Sequence, residues 1–184
     1  MRFYEFLRIT VLISAGAASA LAVVTIVAIA SGAGDRAVAF VAVGWWVVSV
    51  FGGLWLGRRA ETSPPIARLL AGARTRRSLP EVNPALTLLN RLWPLLVCTI
   101  GAAALGVALP QVPAIAAGFE IIWALAWRRQ ASAVQAIEDR DGARFYIERT
   151  SPAAPIRLVR TPGFRANLLE LNGSRTPSST PPRP

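Results

Sequence analysis

The chain contains no histidine and no lysine, one cysteine, one methionine and two tyrosines in 184 residues. Without histidine, the commonest metal ligand and general base is gone, and with it imidazole haem ligation and the usual nucleophile–histidine triads. Cys98 stands alone in an apolar run, so intrachain disulfides and cysteine metal sites are excluded. No Walker A loop, no Gly-x-Gly-x-x-Gly fingerprint and no Gly-x-Ser-x-Gly elbow occurs. These absences argue against an enzyme, a metal site and a resident cofactor. Acidic residues are few as well, ten against twenty basic ones, and every basic residue is arginine. The missing lysine reads as the codon bias of a GC-rich bacterial genome, not as chemistry.

What the chain does have is apolar length. Hydrophobic residues make up 53% of it, its mean hydropathy is +0.44, and the excess is concentrated in four runs, 9–30, 37–56, 92–109 and 112–127. Each run is close to the ~17–25 residues that a helix needs to cross a bilayer. The expected fold is an all-α integral membrane protein with four transmembrane helices as two hairpins, 1–57 and 92–129. A basic linker, 58–91, joins the hairpins. A small C-terminal arm, 130–172, and a disordered Pro/Ser/Thr-rich tail, 173–184, follow. A signal peptide competes for the first run, because Ala28, Ile29 and Ala30 before Ser31 resemble a cleavage site. The run exceeds the ~7–15 apolar residues of such a leader, so a retained helix is expected.

The arginines sort by segment. Arg2 and Arg8 precede the first run, seven lie in 58–91, ten follow Trp127, and only Arg36 falls on the other side, beside Asp35. Positive loops stay in the cytoplasm, which predicts a multi-pass protein of the bacterial plasma membrane with both termini cytoplasmic. Arg58, Arg59, Arg74, Arg76, Arg77, Arg128 and Arg129 are the candidates for fixing that topology and for touching anionic headgroups. A nucleic-acid binder would interleave aromatics with its cations, and 58–91 has none, Trp93 lying just beyond its edge. The partners expected are membrane lipid and a protein partner or a second copy, with no nucleic acid.

Smaller signals run along the chain. Phe3, Tyr4 and Phe6 among charges predict an interfacial anchor. Ser14 with Ala18, Gly16 with Ala20, and Gly101 with 102–106 are small-residue stripes that let helices approach closely. Trp45, Ser49, Gly52 and Leu56 share one helical face. Pro64 and Pro65 start a short helix with Ile66, Leu69, Leu70 and Ala73 on one side, flanked by Arg68 and Arg74 and suited to lying along headgroups. Asn83 before Pro84 is a helix start, Pro94 predicts a kink, and 110–113 is a tight turn. Residues 54–60 (LWLGRRA) and 125–131 (LAWRRQA) look alike, and interfacial tryptophans beside arginine pairs explain that without duplication.

The arm admits two readings. Either 133–138 and 143–149 are strands around an Asp-Gly turn, with 155–160 as a third, or the fourth helix continues to about Asp139. Some forty residues close a poor core alone, so the arm is expected to rest on the linker, on headgroups or on another protein. Glu138, Asp139, Asp141 and Glu148 beside Arg140, Arg144 and Arg149 read as a solvated, charge-paired segment. They do not fit an EF-hand.

Glu120 is the one ionisable residue clearly inside a run. Trp45, Trp46, Ser49, Cys98, Thr99 and Ser19 fall at comparable depth. A carboxylate in hydrocarbon must face the bundle interior. It either pins helix packing through a hydrogen bond, with the indole of Trp45 or Trp46 as the expected donor, or it handles protons or a cation. One isolated carboxylate favours the first. The functional expectation is a non-catalytic membrane subunit or scaffold that contacts partners or anionic lipid through its cytoplasmic face. The runner-up is a small transporter or channel component using Glu120.

Overall fold

The structure, a computed structural model, describes residues 1–32, 34–58, 62–75, 83–148 and 156–162. Arg59, Arg76, Arg77 and Arg149, like the tail 173–184, lie outside the described residues. The described chain is mostly helical. Phe3–Ala30 (α1), Arg36–Leu56 (α2) and Pro84–Leu105 (α4) are each long and apolar enough to cross a membrane. Pro64–Ala71 (α3) lies in the linker, and Gln111–Trp127 (α5) and Gln130–Asp141 (α6) follow α4. At ~1.5 Å per residue, the 17 residues of α5 reach about 25 Å, at the lower limit for a crossing.

The helices do not pack as consecutive hairpins. α5 is wedged between α1 and α2 and packs most extensively against both, while α1 and α2 scarcely touch and α4 leans lightly on α1 and α5. Small residues permit the wedge. The buried stripe of α1 carries Ser14, Ala18, Leu21, Thr25 and Ala28, and that of α5 carries Ala114, Ala117, Gly118 and Ala124. α2 and α5 run side by side in the same direction. A Cβ on Gly118 would meet the Trp45 indole, and one on Gly53 would lie 2.8 Å from Leu125 Cβ and 3.1 Å from Ile122 Cα. Gly52, which the spacing sets on one face with Trp45 and Ser49, faces open space, and Gly53 makes the approach. Gly16 and Gly101, read as packing positions, are also open, whereas their neighbours Ser14, Ala18 and Ala102 are buried. At the far end the two turns meet, a Cβ on Gly34 falling 3.2 Å from Pro110 Cγ. Outward, the bundle is apolar: Phe40, Val41, Phe51, Ile100 and Phe119 are all exposed.

At the arginine-rich end the chain builds a second core. Ala143–Ile147 (β2) pairs antiparallel with Leu158–Pro162 (β3), and Arg74–Thr75 (β1) of the linker adds in parallel, giving the order β1-β3-β2. The strands expected at 143–149 and 155–160 are present as β2 and β3, and β1 of the linker adds a strand that neither reading of the arm included. The Asp-Gly hairpin is corrected. Residues 133–138 are helical, and Gly142, in the left-handed region at φ 58°, ends α6 by donating its N–H to Glu138 O. The same glycine geometry serves a hairpin turn or a helix C-terminus. Gln130, Val134 and Glu138 settle it, because they are buried at four-residue spacing. The second reading, a helix prolonged past Trp127, comes close. Arg128 and Arg129 keep right-handed helical angles between α5 and α6.

The N-terminus completes this unit. α1 spans 28 residues, about 42 Å, more than the ~30 Å thickness of a hydrocarbon layer. Phe3, Phe6 and Leu7 enter one core with Ile66 of α3, Val134 of α6, Phe145 and Ile147 of β2 and Leu158 of β3. Ile147 N–H donates to Met1 O, and Arg2 bridges Tyr146 as a further strand-like edge. The phenylalanines read as an interfacial anchor are thus core residues, Phe3 being 1% exposed. The predicted apolar side of α3 exists, yet it faces this core instead of headgroups, with Ile66 buried and Leu69, Leu70 and Ala73 packed around it.

Candidate functional site

The carboxylate of Glu120, on α5, comes first. Trp45 covers Gly118 and Gly53 abuts Ile122, so Ser49, midway on α2, stands level with Glu120, midway on α5. Ser14 of α1 faces the Glu120 carboxyl from the other side. Three polar groups from three helices thus share one level of the bundle. Ser14 Oγ, Ser49 Oγ and Glu120 Oε2 are each buried without a hydrogen-bond partner among the described residues. Ser14 and Ser49 are fully buried and Glu120 is half-buried.

The expected indole donors are not the partners of Glu120. Trp45 Nε1–H donates to Ile115 O at 3.1 Å and Trp46 Nε1–H to Ala114 O at 2.9 Å. Both indoles therefore pin α2 to the backbone of α5 about one and a half turns from the carboxylate. Thr99 also drops out, since its hydroxyl donates to Leu95 O of its own helix at 2.8 Å, and exposed Ser19 bonds Ala15 O in the same way. Cys98 is exposed. Of the residues proposed around Glu120, the structure keeps Ser49 and adds Ser14, which the sequence shows only as part of a small-residue stripe.

The cationic candidates divide. Arg58 lies 5.8 Å from the Trp55 ring centroid, and its carbonyl accepts a 2.9 Å bond from Arg129 Nη1, which ties the end of α2 to that of α5. Arg128 is exposed beside them, close to the stacked pair of Trp123 and Trp127. Arg74 sits apart on the sheet edge, in β1. The described parts of the two look-alike ends, 54–58 and 125–131, lie side by side here, a Cβ on Gly57 meeting Leu125 O.

In the appended unit the polar groups are structural staples. Gln130 Oε1 accepts Ser63 N–H at 2.9 Å, fastening the start of α3 to the start of α6. Glu138 Oε1 accepts Phe145 N–H at 2.9 Å. Glu138 was read as solvated, but it is buried, and burial pushes its carboxyl above the usual carboxylate range against the opposing Phe145 bond. The exposed Arg140–Asp141 contact, 2.9 Å, matches the charge-paired expectation. Among the described residues no three aspartate, glutamate or cysteine side chains converge as a metal would require. No protein family, curated protein or solved structure matches this chain.

Proposed function

We propose that this chain is a four-crossing protein of a bacterial plasma membrane, with α1, α2, α4 and α5 spanning and both termini in the cytoplasm. Its role is that of a non-catalytic subunit or scaffold that presents the sheet-and-helix unit to a protein partner or to the anionic leaflet. The observation that carries this reading is the mounting of the unit. Phe3, Phe6 and Leu7 belong to the same helix that packs on α5 within the bundle, so the unit is held fast on the bundle end. A rigidly held surface loses little freedom when it docks, which is what an interaction module needs. The arginine count supports the orientation, since all but one of twenty lie toward that end by segment.

Purification from native membranes in mild detergent tests the role. A stoichiometric partner or second copy should accompany the wild-type chain and be lost on Phe145→Ala, which disrupts the unit, while membrane insertion persists. Reporter fusions after residues 33, 78, 111 and 184 test the topology and should read outside, inside, outside and inside.

One observation favours a second reading. The buried, unpartnered oxygens of Ser14, Ser49 and Glu120 form a polar level that a transporter or channel component would use for a proton or cation. Flux in liposomes holding this chain alone, abolished by Glu120→Gln, would select it over the scaffold.

A further inference from the structure

The strongest unused feature is a cleft on the sheet edge of the appended unit, about 290 Å³ in volume. Arg68 enters it from α3, Arg74 from β1, and Arg157 from the residues leading into β3. Sequence spacing hides this meeting, because Arg157 is more than eighty positions from the other two. The fold creates it. Arg74 pairs in register with Val159, two residues beyond Arg157, and Glu148 N–H donates to Arg157 O at 2.9 Å, which fixes the Arg157 backbone. All three arginines are exposed, and none closes an ion pair among the described residues. Glu148 also lines the cleft and has a contact of its own, so among the described residues three cations face one carboxylate. The helix end nearby does not oppose an anion strongly, since Arg68 O accepts Gly72 N–H and Leu70 O accepts Ala73 N–H.

We infer that this cleft binds a phosphate group, held by the guanidinium groups of Arg68, Arg74 and Arg157. Planar guanidinium donors match the oxygens of phosphate in pairs, and three from different segments surround a tetrahedral anion as one surface arginine cannot. Phosphate monoesters, with their greater charge, fit better than diesters. The phosphate can belong to a lipid headgroup or to a soluble ester; the chemistry of recognition is the same. The inference deepens the proposed role, resting on the reading of the appended unit as an interaction module, but it requires no protein partner.

The test uses the full chain in nanodiscs. One arm titrates inorganic phosphate, followed by calorimetry, into nanodiscs of phosphatidylcholine. The other measures retention of phosphatidic acid against phosphatidylcholine by native mass spectrometry after mild detergent extraction. The variants are Arg157→Gln and the pair Arg74→Gln with Arg157→Gln. Arg144→Gln, outside the cleft, is the control, and circular dichroism confirms folding. Binding in either arm should weaken by roughly tenfold or more in the cleft variants and hold in the control, because each charge-assisted contact contributes that order. A response in the calorimetric arm alone identifies a soluble source, in the lipid arm alone a headgroup, and in both recognition of the phosphate itself. No binding in either arm, or binding that the cleft variants leave unchanged, overturns the inference. A missing protein partner would count against the scaffold reading only, so the two failures are distinguishable.

Discussion

The two halves of this molecule are packed by opposite rules. In the bundle the buried contacts are made by Ser14, Ala18, Ala114, Ala117, Gly118 and Gly53, with Leu21 among the few large side chains. In the appended unit they are made by Phe3, Phe6, Leu7, Ile66, Val134, Phe145, Ile147 and Leu158. The outer surface of the bundle is itself apolar, so burying a leucine there gains little over leaving it in hydrocarbon. Close backbone approach and dispersion hold such helices instead. Under the proposed topology the appended unit faces water, where burying each large side chain contributes ~1.5–3 kcal/mol. One chain therefore solves the packing problem twice, for two solvents, and α1 takes part in both solutions.

The comparison breaks most sharply at the phenylalanines. Phe3→Ala, and Phe6→Ala beside it, should each cost about 3–5 kcal/mol in the appended unit, the usual penalty for emptying an aromatic core position. Hydrogen exchange should show β2 and β3 losing protection while α1 and α5 keep theirs. Loss of protection throughout would mean that the two cores are one cooperative body.

The next effect belongs to the bundle. Gly118→Ala places a methyl where the Trp45 indole lies, and overpacking of that kind costs ~1–3 kcal/mol. It should loosen α2 from α5, read as faster exchange of the Trp45 and Trp46 indole protons. Gly52→Ala, facing open space, should change nothing measurable.

These sites also mark how far the sequence could be read. The apolar runs were legible because length and absence of charge are all that crossing a bilayer demands. The apolar side of α3 was legible from its spacing, but spacing says which side is buried and not against what, so the core beneath Ile66 stayed hidden. The segment 133–138 was left open between strand and helix because Val134 and Ile137 suit a short strand as well as a helix, and Gly142 serves a turn or a cap alike. The indole donors were assigned to Glu120 because a search among side chains cannot see the carbonyls of Ala114 and Ile115, which accept them. The wedge of α5 was invisible because chain order suggests that neighbours pack, and α1 with α2 scarcely do. Arg157 joined Arg68 and Arg74 only through the parallel register of β1 with β3.

A moderate effect is expected at Glu138. Its folded carboxyl titrates above the ordinary range, so the neutral form is the one that folding favours. Its contribution is complete below the ordinary value of 4.5 and declines as pH rises through the raised folded value, levelling off above it. Exchange protection of β2, corrected for intrinsic rate, should fall over that window. Glu138→Gln keeps an acceptor for Phe145 N–H and should abolish the slope at little cost. Glu138→Ala strands that N–H and should cost about 1–3 kcal/mol.

The smallest effect is expected at Glu120. Because Trp45 and Trp46 are satisfied by backbone carbonyls, Glu120→Leu strands no indole. Under the scaffold reading, both Glu120→Gln and Glu120→Leu should shift stability in bilayer-mimetic unfolding by less than ~1 kcal/mol. A loss several times larger would show that the Ser14–Glu120–Ser49 level holds the bundle together.

The central claim is that the unit at the arginine-rich end is one core assembled from the N-terminus, the linker and the arm. Hydrogen exchange on a peptide covering 130–172, set beside the same residues in the full chain in nanodiscs, tests it most directly. The account predicts that 143–147 and 158–162 exchange freely in the peptide and are protected in the full chain, because Phe3, Phe6, Leu7, Ile66 and strand β1 are missing from the peptide. A monomeric peptide that folds cooperatively and protects both strands would contradict it.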